Sequence, residues 1–246
     1  MKKYLIDSYR NDKHLTIFIL VTISAFYAIY LIPDKHFIGV VGTEDGFFEN
    51  LTAIFFLIAS GFFLSIFRVH QNIFFLLLTL IFFFGFGEEI SWGQRILGFS
   101  TPATLANINV QKEFTFHNIE LFNTVDLNQH SKTGFYNLIT INILFKIFWF
   151  CYGIILPLAY ILNDAITAFV NKLKIPVPKF SIGIFFLLNY LIMKSLELYI
   201  LPLNQEKEYY WAATEIYECG AALVFMIISY DFFKRRNTIF LNRFYN

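Results

Sequence analysis

The sequence predicts an all-α bundle of about six helices, a single integral membrane domain over residues 1–246. Three observations predict it. Hydrophobic residues make up 57% of the chain and charged residues only 15%, more apolar surface than a water-soluble domain of this size can bury. Six separate apolar windows are each long enough to cross a hydrocarbon core about 30 Å thick. Short polar segments join most of them, which leaves no length for a second domain.

The windows follow one another along the chain. The first, about 14–32, follows Lys2, Lys3, Arg10 and Lys13 and carries no small-residue cleavage motif, so it is expected to be a retained span. The second, about 47–67, starts behind Thr43, a candidate N-cap, and carries Glu44, Asp45 and Glu49 around its first turns, where the helix dipole favours negative charge. The third, about 72–97, would be ~39 Å long as one helix, so its end is expected to tilt or project, with Gly98 as its stop. Residues 98–134 form the longest loop, with Pro102 and several Asn and Gln. The fourth window is about 135–163, followed by an interfacial connection over 164–179 with Pro176 and Pro178. The fifth and sixth are about 180–202 and 209–232. Most of the 33 Phe residues are expected to face lipid or pack between helices.

Charge sets the expected sidedness. With the N-terminus inside, the inner segments hold twelve basic residues, among them Arg68, Lys172, Lys174, Lys179 and Lys234 to Arg236. The outer segments hold five: Lys35, Arg95, Lys112, Lys132 and Lys207. This bias predicts both termini in the cytoplasm and the 98–134 loop outside. A net charge of +1 gives no support for a nucleic-acid partner. Cys151 and Cys219 lie in apolar runs without a CxxC spacing and read as packing residues.

In that topology Glu49, Glu88, Glu89, Glu215 and Glu218, from three helices, fall at one outer level. An acid at the centre of a span costs roughly 2.5–3.5 kcal/mol, so several together cost on the order of 10 kcal/mol unless they face the bundle interior, a wet cavity or a ligand. Lys194 and Glu197 are expected in the same layer, with Lys146 deeper. On a continuous third helix, Glu88, Ser91, Trp92 and Arg95 would share one stripe, as would Trp211, Glu215 and Glu218 on the sixth. Glu88, Glu89 and the loop residue His117 are the candidate catalytic groups. Glu49, Trp92, Arg95, Asn118, Lys194, Glu215 and Glu218 are the candidate substrate-binding groups. Carboxylates with His117 could instead hold a divalent cation, with Arg95 on a substrate phosphate or carboxylate, although the spacing is no recognised metal motif. Bland readings stand beside these: a dipole role for Glu49, structural pairing of the acids with Arg95 or Lys194, and a solvated His117.

The strings Glu44-Asp45-Gly46 with Glu49, Gly87-Glu88-Glu89-Ile90-Ser91-Trp92-Gly93-Gln94-Arg95, and His117-Asn118 resemble a signature of bacterial multi-pass membrane proteins of uncharacterised function. The resemblance covers about residues 43–118 and implies a bacterial inner membrane and a shared site, without a named reaction. Three characterised families match less well. The intramembrane proteases of the CAAX type carry an arginine four positions after the second of two glutamates, where this chain has Gly93. Gly85-Phe86-Gly87-Glu88 is similar to the GxGD motif of presenilin-type proteases, but Glu replaces Asp. The rhomboid Gly-x-Ser-Gly motif is absent. The residues therefore point to three classes: a membrane-embedded enzyme acting on a lipid, lipid-linked or peptide substrate, a cation-binding or proton-coupled transporter, and a receptor or assembly subunit. The expected partners are the bilayer and a lipid or small cationic ligand.

Overall fold

A computed structural model describes residues 13–237 apart from 33, 44, 205 and 206. Lys2, Lys3, Arg10 and Glu44, and Arg243, the last of the twelve inner basic residues, lie outside the described residues. The described chain is all helix and loop, with two isolated β-bridges, Asn109 to Ile119 and Val125 to Ser131. The principal helices are α1 (Lys13–Tyr27), α2 (Lys35–Gly42), α3 (Phe47–His70), α4 (Ile73–Glu89), α5 (Ile141–Phe150), α6 (Asp164–Leu173), α7 (Phe180–Tyr199) and α8 (Lys207–Lys234). Helix α5 continues through a π-helical turn, Cys151–Ile155, into Leu156–Leu162. Among the described residues, five helical stretches are long and apolar enough to cross a membrane, and a sixth if the bent pair Ile73–Glu89 and Ser91–Leu97 counts as one. These correspond to the six apolar windows.

Helix α8 is the hub. It packs against α1, α2, α3 and α7. Its middle, Ala221 to Phe225, is fully buried, because small residues let neighbouring backbones approach where lipid supplies no hydrophobic drive between helices. Close approach recurs where α7 crosses the π-helical turn: Gly183 lies so near the Gly153 carbonyl that no side chain fits. Polar contacts tie the same helices. Tyr27 donates to Asn189 Oδ1 at 3.0 Å, Asn189 Nδ2 donates to the Tyr217 carbonyl at 2.7 Å, and Trp149 Nε1 donates to the Tyr217 hydroxyl at 2.7 Å. Below them is an aromatic core in which Phe63 and Phe82 stack at 5.7 Å and Phe82 meets Phe225 at 4.9 Å.

The two ends of the bundle differ. At the basic pole Lys179 pairs with Asp231 at 2.8 Å, Arg235 Nε bonds the same carboxylate at 2.9 Å, and Asn72 Nδ2 donates to the Lys174 carbonyl at 2.7 Å. The connection over 164–179 includes α6, whose start is capped by Asn163 accepting from Ile166 N. Ile166, Phe169, Val170 and Leu173 give that segment a helical apolar period. The opposite end, the loop pole, holds residues 98–134.

Two local expectations fail there. The third window is not one straight helix: α4 stops at Glu89, and Ser91, Trp92 and Gly93 take positive φ values of 47°, 50° and 80°. The chain then bends by 65° into Gln94–Leu97, which Gly98 ends at φ 68°. The proposed helical stripe of Glu88, Ser91, Trp92 and Arg95 therefore does not exist. The physical reason is a competing local contact, since the Trp92 ring folds back onto Gly87 and its N–H bonds to Glu88. Thr43 is likewise not the N-cap of α3. Gly46 takes that position, and Glu49 reaches back to accept the Asp45 backbone N–H.

Candidate functional site

The bend brings the loop down onto the end of α4. Glu88, buried at 5% exposure, accepts the Trp92 Nε1–H on Oε1 at 2.5 Å. Its Oε2 accepts the backbone N–H groups of Phe116 and His117, both at 2.7 Å, and lies 3.1 Å from His117 Nδ1. Gln94 holds the next strip of loop, accepting from Phe114 N at 2.7 Å and donating to Thr101 Oγ1 at 2.8 Å.

Arg95 forms a second clasp. Its guanidinium donates to both Glu113 oxygens at 3.0 Å, to Glu49 at 3.3 Å and to Asp45. Three carboxylates thus share one cation, and Arg95 is engaged by the protein itself. Within the loop, Asn109 bonds Thr115, Gln111 and Glu113 backbone groups. Asn118 is buried, donates to Gln111 and accepts from Asn123 at 3.0 Å, so its amide organises the loop interior.

Under this roof lies a cavity of about 350 Å³. One half is polar: Glu49 from α3, Glu88 and Glu89 from α4, Glu215 and Glu218 from α8, and His117 from the loop. The other half is Phe56, Ile81, Phe82, Phe84, Ile141, Leu144, Phe145 and Phe148, with Asn142 between. The electrostatic neighbours of Glu89 are Glu218, Glu215, Glu49 and Glu88, all acidic. Glu218 has His117 and Lys146 as its cationic neighbours. Neither Glu89 nor Glu218 makes a side-chain hydrogen bond or ion pair with a described residue. So much like charge in one enclosed space requires a counter-charge, supplied by protons, a cation or a cationic ligand.

Several sequence candidates lie elsewhere. Lys194 pairs with Glu197 one turn away and sits 5.9 Å from the Tyr190 ring, outside the cavity lining. Trp211 is 55% exposed and does not share a cavity face with Glu215 and Glu218. Trp92 packs edge-on to Phe84 at 5.6 Å and supports Glu88 rather than facing the cavity. Among the described residues, no group of three or more His, Cys, Asp or Glu is placed to hold a metal ion. Sequence reasoning missed Glu113 as the bidentate partner of Arg95, and it missed the aromatic half of the cavity. Glu113 carried no local signal because its partner lies 18 positions away and is reached only through the bend. No family profile, curated protein or solved structure matches the chain.

Proposed function

We propose that this chain is an enzyme embedded in a bacterial inner membrane, with both termini in the cytoplasm, that performs acid–base chemistry on a lipid or lipid-linked substrate at the outer side. The observation that carries the reading is one cavity lined by both aromatic side chains and carboxyls, two of which, Glu89 and Glu218, make no side-chain hydrogen bond or ion pair with a described residue. The segregation of basic residues to the pole away from the loop supports the orientation.

The roles divide by environment. Glu88 is held at both oxygens and fixes the roof. Glu89 and Glu218 are free to exchange protons. One ionised carboxyl takes a proton from a water or hydroxyl nucleophile, and its protonated neighbour returns one to the leaving atom, as paired carboxyls do when their surroundings separate their acidities. His117, beside Glu88 and near Glu218, is placed to relay a proton towards solvent. Lys146, 6.0 Å from the Tyr217 ring centroid and outside the cavity lining, is an electrostatic neighbour of Glu218.

The second reading is a cation-binding or proton-coupled transporter, which intramembrane acids often mark. The chain below the cavity favours the enzyme, because α8 has no charged residue between Glu218 and Asp231, and Phe82, Phe148 and Phe225 close the interior. The test is to place the purified protein and its Glu89→Gln variant in liposomes of bacterial polar lipids and follow the lipids by mass spectrometry. The parent is expected to convert one lipid class and the variant not to. Identical lipid profiles from both, with pH-driven cation uptake by the parent alone, would replace the enzyme with the transporter.

A further inference from the structure

We infer that the cavity is filled sideways from the bilayer, through a gap between α4 and α5, by a lipid whose headgroup carries an ammonium. The inference deepens the proposed function and rests on its membrane placement, but not on any chemical step.

The gap is visible in the exposure of its rims. Ile81 and Phe84 on α4 and Ile141 and Leu144 on α5 all line the cavity and are 46, 41, 40 and 41% exposed. Residues that both line the cavity and keep this much exposure place its mouth between the two helices. Helix α4 packs its other side on α3, while α5 leans on α7. The two rims touch where Phe82 and Phe148 lie 6.3 Å apart and both contact Phe225. Above, Phe116 reaches Phe84 at 5.9 Å and His117 is pinned to Glu88. The opening thus has an aromatic floor, a loop for a roof and apolar jambs within spans, where the solvent is hydrocarbon.

Size and charge identify what enters. A volume of about 350 Å³ is at the small end for ligand pockets, roughly 300–1,000 Å³, so a headgroup and the start of its chains fit and the remaining chain stays in the bilayer. An open side is what such a ligand needs. Five carboxyls line the polar half, and the guanidinium at its edge, Arg95, is already shared by Asp45, Glu49 and Glu113. An ammonium placed between Glu89 and Glu218 supplies the missing counter-charge, whereas an uncharged or purely anionic headgroup does not.

The experiment uses the full chain in liposomes with two photoactivatable probes, phosphatidylethanolamine and phosphatidylglycerol, each with a diazirine in one acyl chain. Labelled peptides are mapped by mass spectrometry. We expect labelling from the ethanolamine probe concentrated in 81–84 and 141–145, about tenfold above the glycerol probe, the ratio given by about 1.4 kcal/mol of preference. Leu144→Trp should close the gap and reduce that labelling several-fold. Labelling spread evenly over the lipid-facing surfaces of α1 and α7, or equal labelling by the two probes, overturns the proposal; the probe comparison on the parent needs no variant to fold. Concentrated, ethanolamine-selective labelling without any lipid conversion would sink the enzyme reading and leave this one standing. Conversion with diffuse labelling would do the reverse.

Discussion

Glu88 and His117, 29 positions apart, meet twice: the carboxylate accepts the His117 backbone N–H at 2.7 Å and lies 3.1 Å from its ring Nδ1. One carboxylate thereby fixes the height of the loop over the cavity and the placement of the imidazole that lines it. Its neighbour Glu89 does the opposite, holding nothing and facing other acids.

Adjacent glutamates should therefore respond differently to the same change. Glu88→Gln replaces one acceptor oxygen by a donor at a carboxylate that accepts from three N–H groups, those of the Trp92 indole and the Phe116 and His117 backbone, so it should destabilise the protein by about 2–3 kcal/mol, the upper range for hydrogen bonds to a charged group. Glu89→Gln removes a buried charge among like charges and should leave stability unchanged or raised, while abolishing activity. Thermal melts of both variants in detergent decide it. Equal, strong destabilisation by both would make the acidic layer structural.

Gly87 is required by the Trp92 ring. A Cβ there would come within 2.8 Å of the indole, with backbone on one side and a bent chain on the other, so Gly87→Ala should cost about 1–3 kcal/mol and shift the tryptophan emission. Gly61, in α3, has nothing within 4 Å of its Cβ position, and Gly61→Ala should be neutral or stabilising by up to about 1 kcal/mol. If Gly87→Ala behaved like Gly61→Ala, the indole would not be folded back.

Arg95 should be a latch for the loop. Arg95→Ala strands Asp45, Glu49 and Glu113; with the arginine about a quarter exposed, the cost should be nearer 2 than the 3–5 kcal/mol of a fully buried pair. Trypsin added to intact liposomes should then cut after Lys112 and Lys132 faster than in the parent. Unchanged cleavage would mean that the loop stands without this clasp.

Sidedness is tested independently. A reporter fused after Asn246 should be active only in the cytoplasm, and a Cys replacing Leu105 should react with an impermeant reagent from outside. Reversal of either result would move the cavity to the other leaflet.

The helices were legible because a membrane span announces itself through composition over some twenty residues, a signal that survives errors of local detail. The convergence of Glu49, Glu88, Glu89, Glu215 and Glu218 on one cavity was legible for a related reason, since position along antiparallel helices sets their common level. The bend after Glu89 was not. Periodicity assumes that φ stays negative, and three successive left-handed residues, two of them not glycine, are sustained here by Trp92 and the loop rather than by local propensity. Lys194 was misplaced because depth alone does not say which way a side chain leaves its helix; a carboxylate one turn away captured it.

Helix α8 follows, in chain order, every helix that it holds together. Ribosomal synthesis therefore delivers the keystone after the stones, and α3 and α4 must wait in the bilayer carrying acids whose cavity has no back wall. The clasps at Glu88 and Arg95 are drawn entirely from residues 45–117, so this hairpin can engage four of its carboxylates, Asp45, Glu49, Glu88 and Glu113, before α8 exists. Biogenesis would then proceed in two stages, a self-sufficient hairpin first and closure around α8 second. Nascent chains stalled after residue 204, before α8 is made, should already protect Lys112 from protease, and loss of that protection in stalled Arg95→Ala chains would trace the early stage to the clasp.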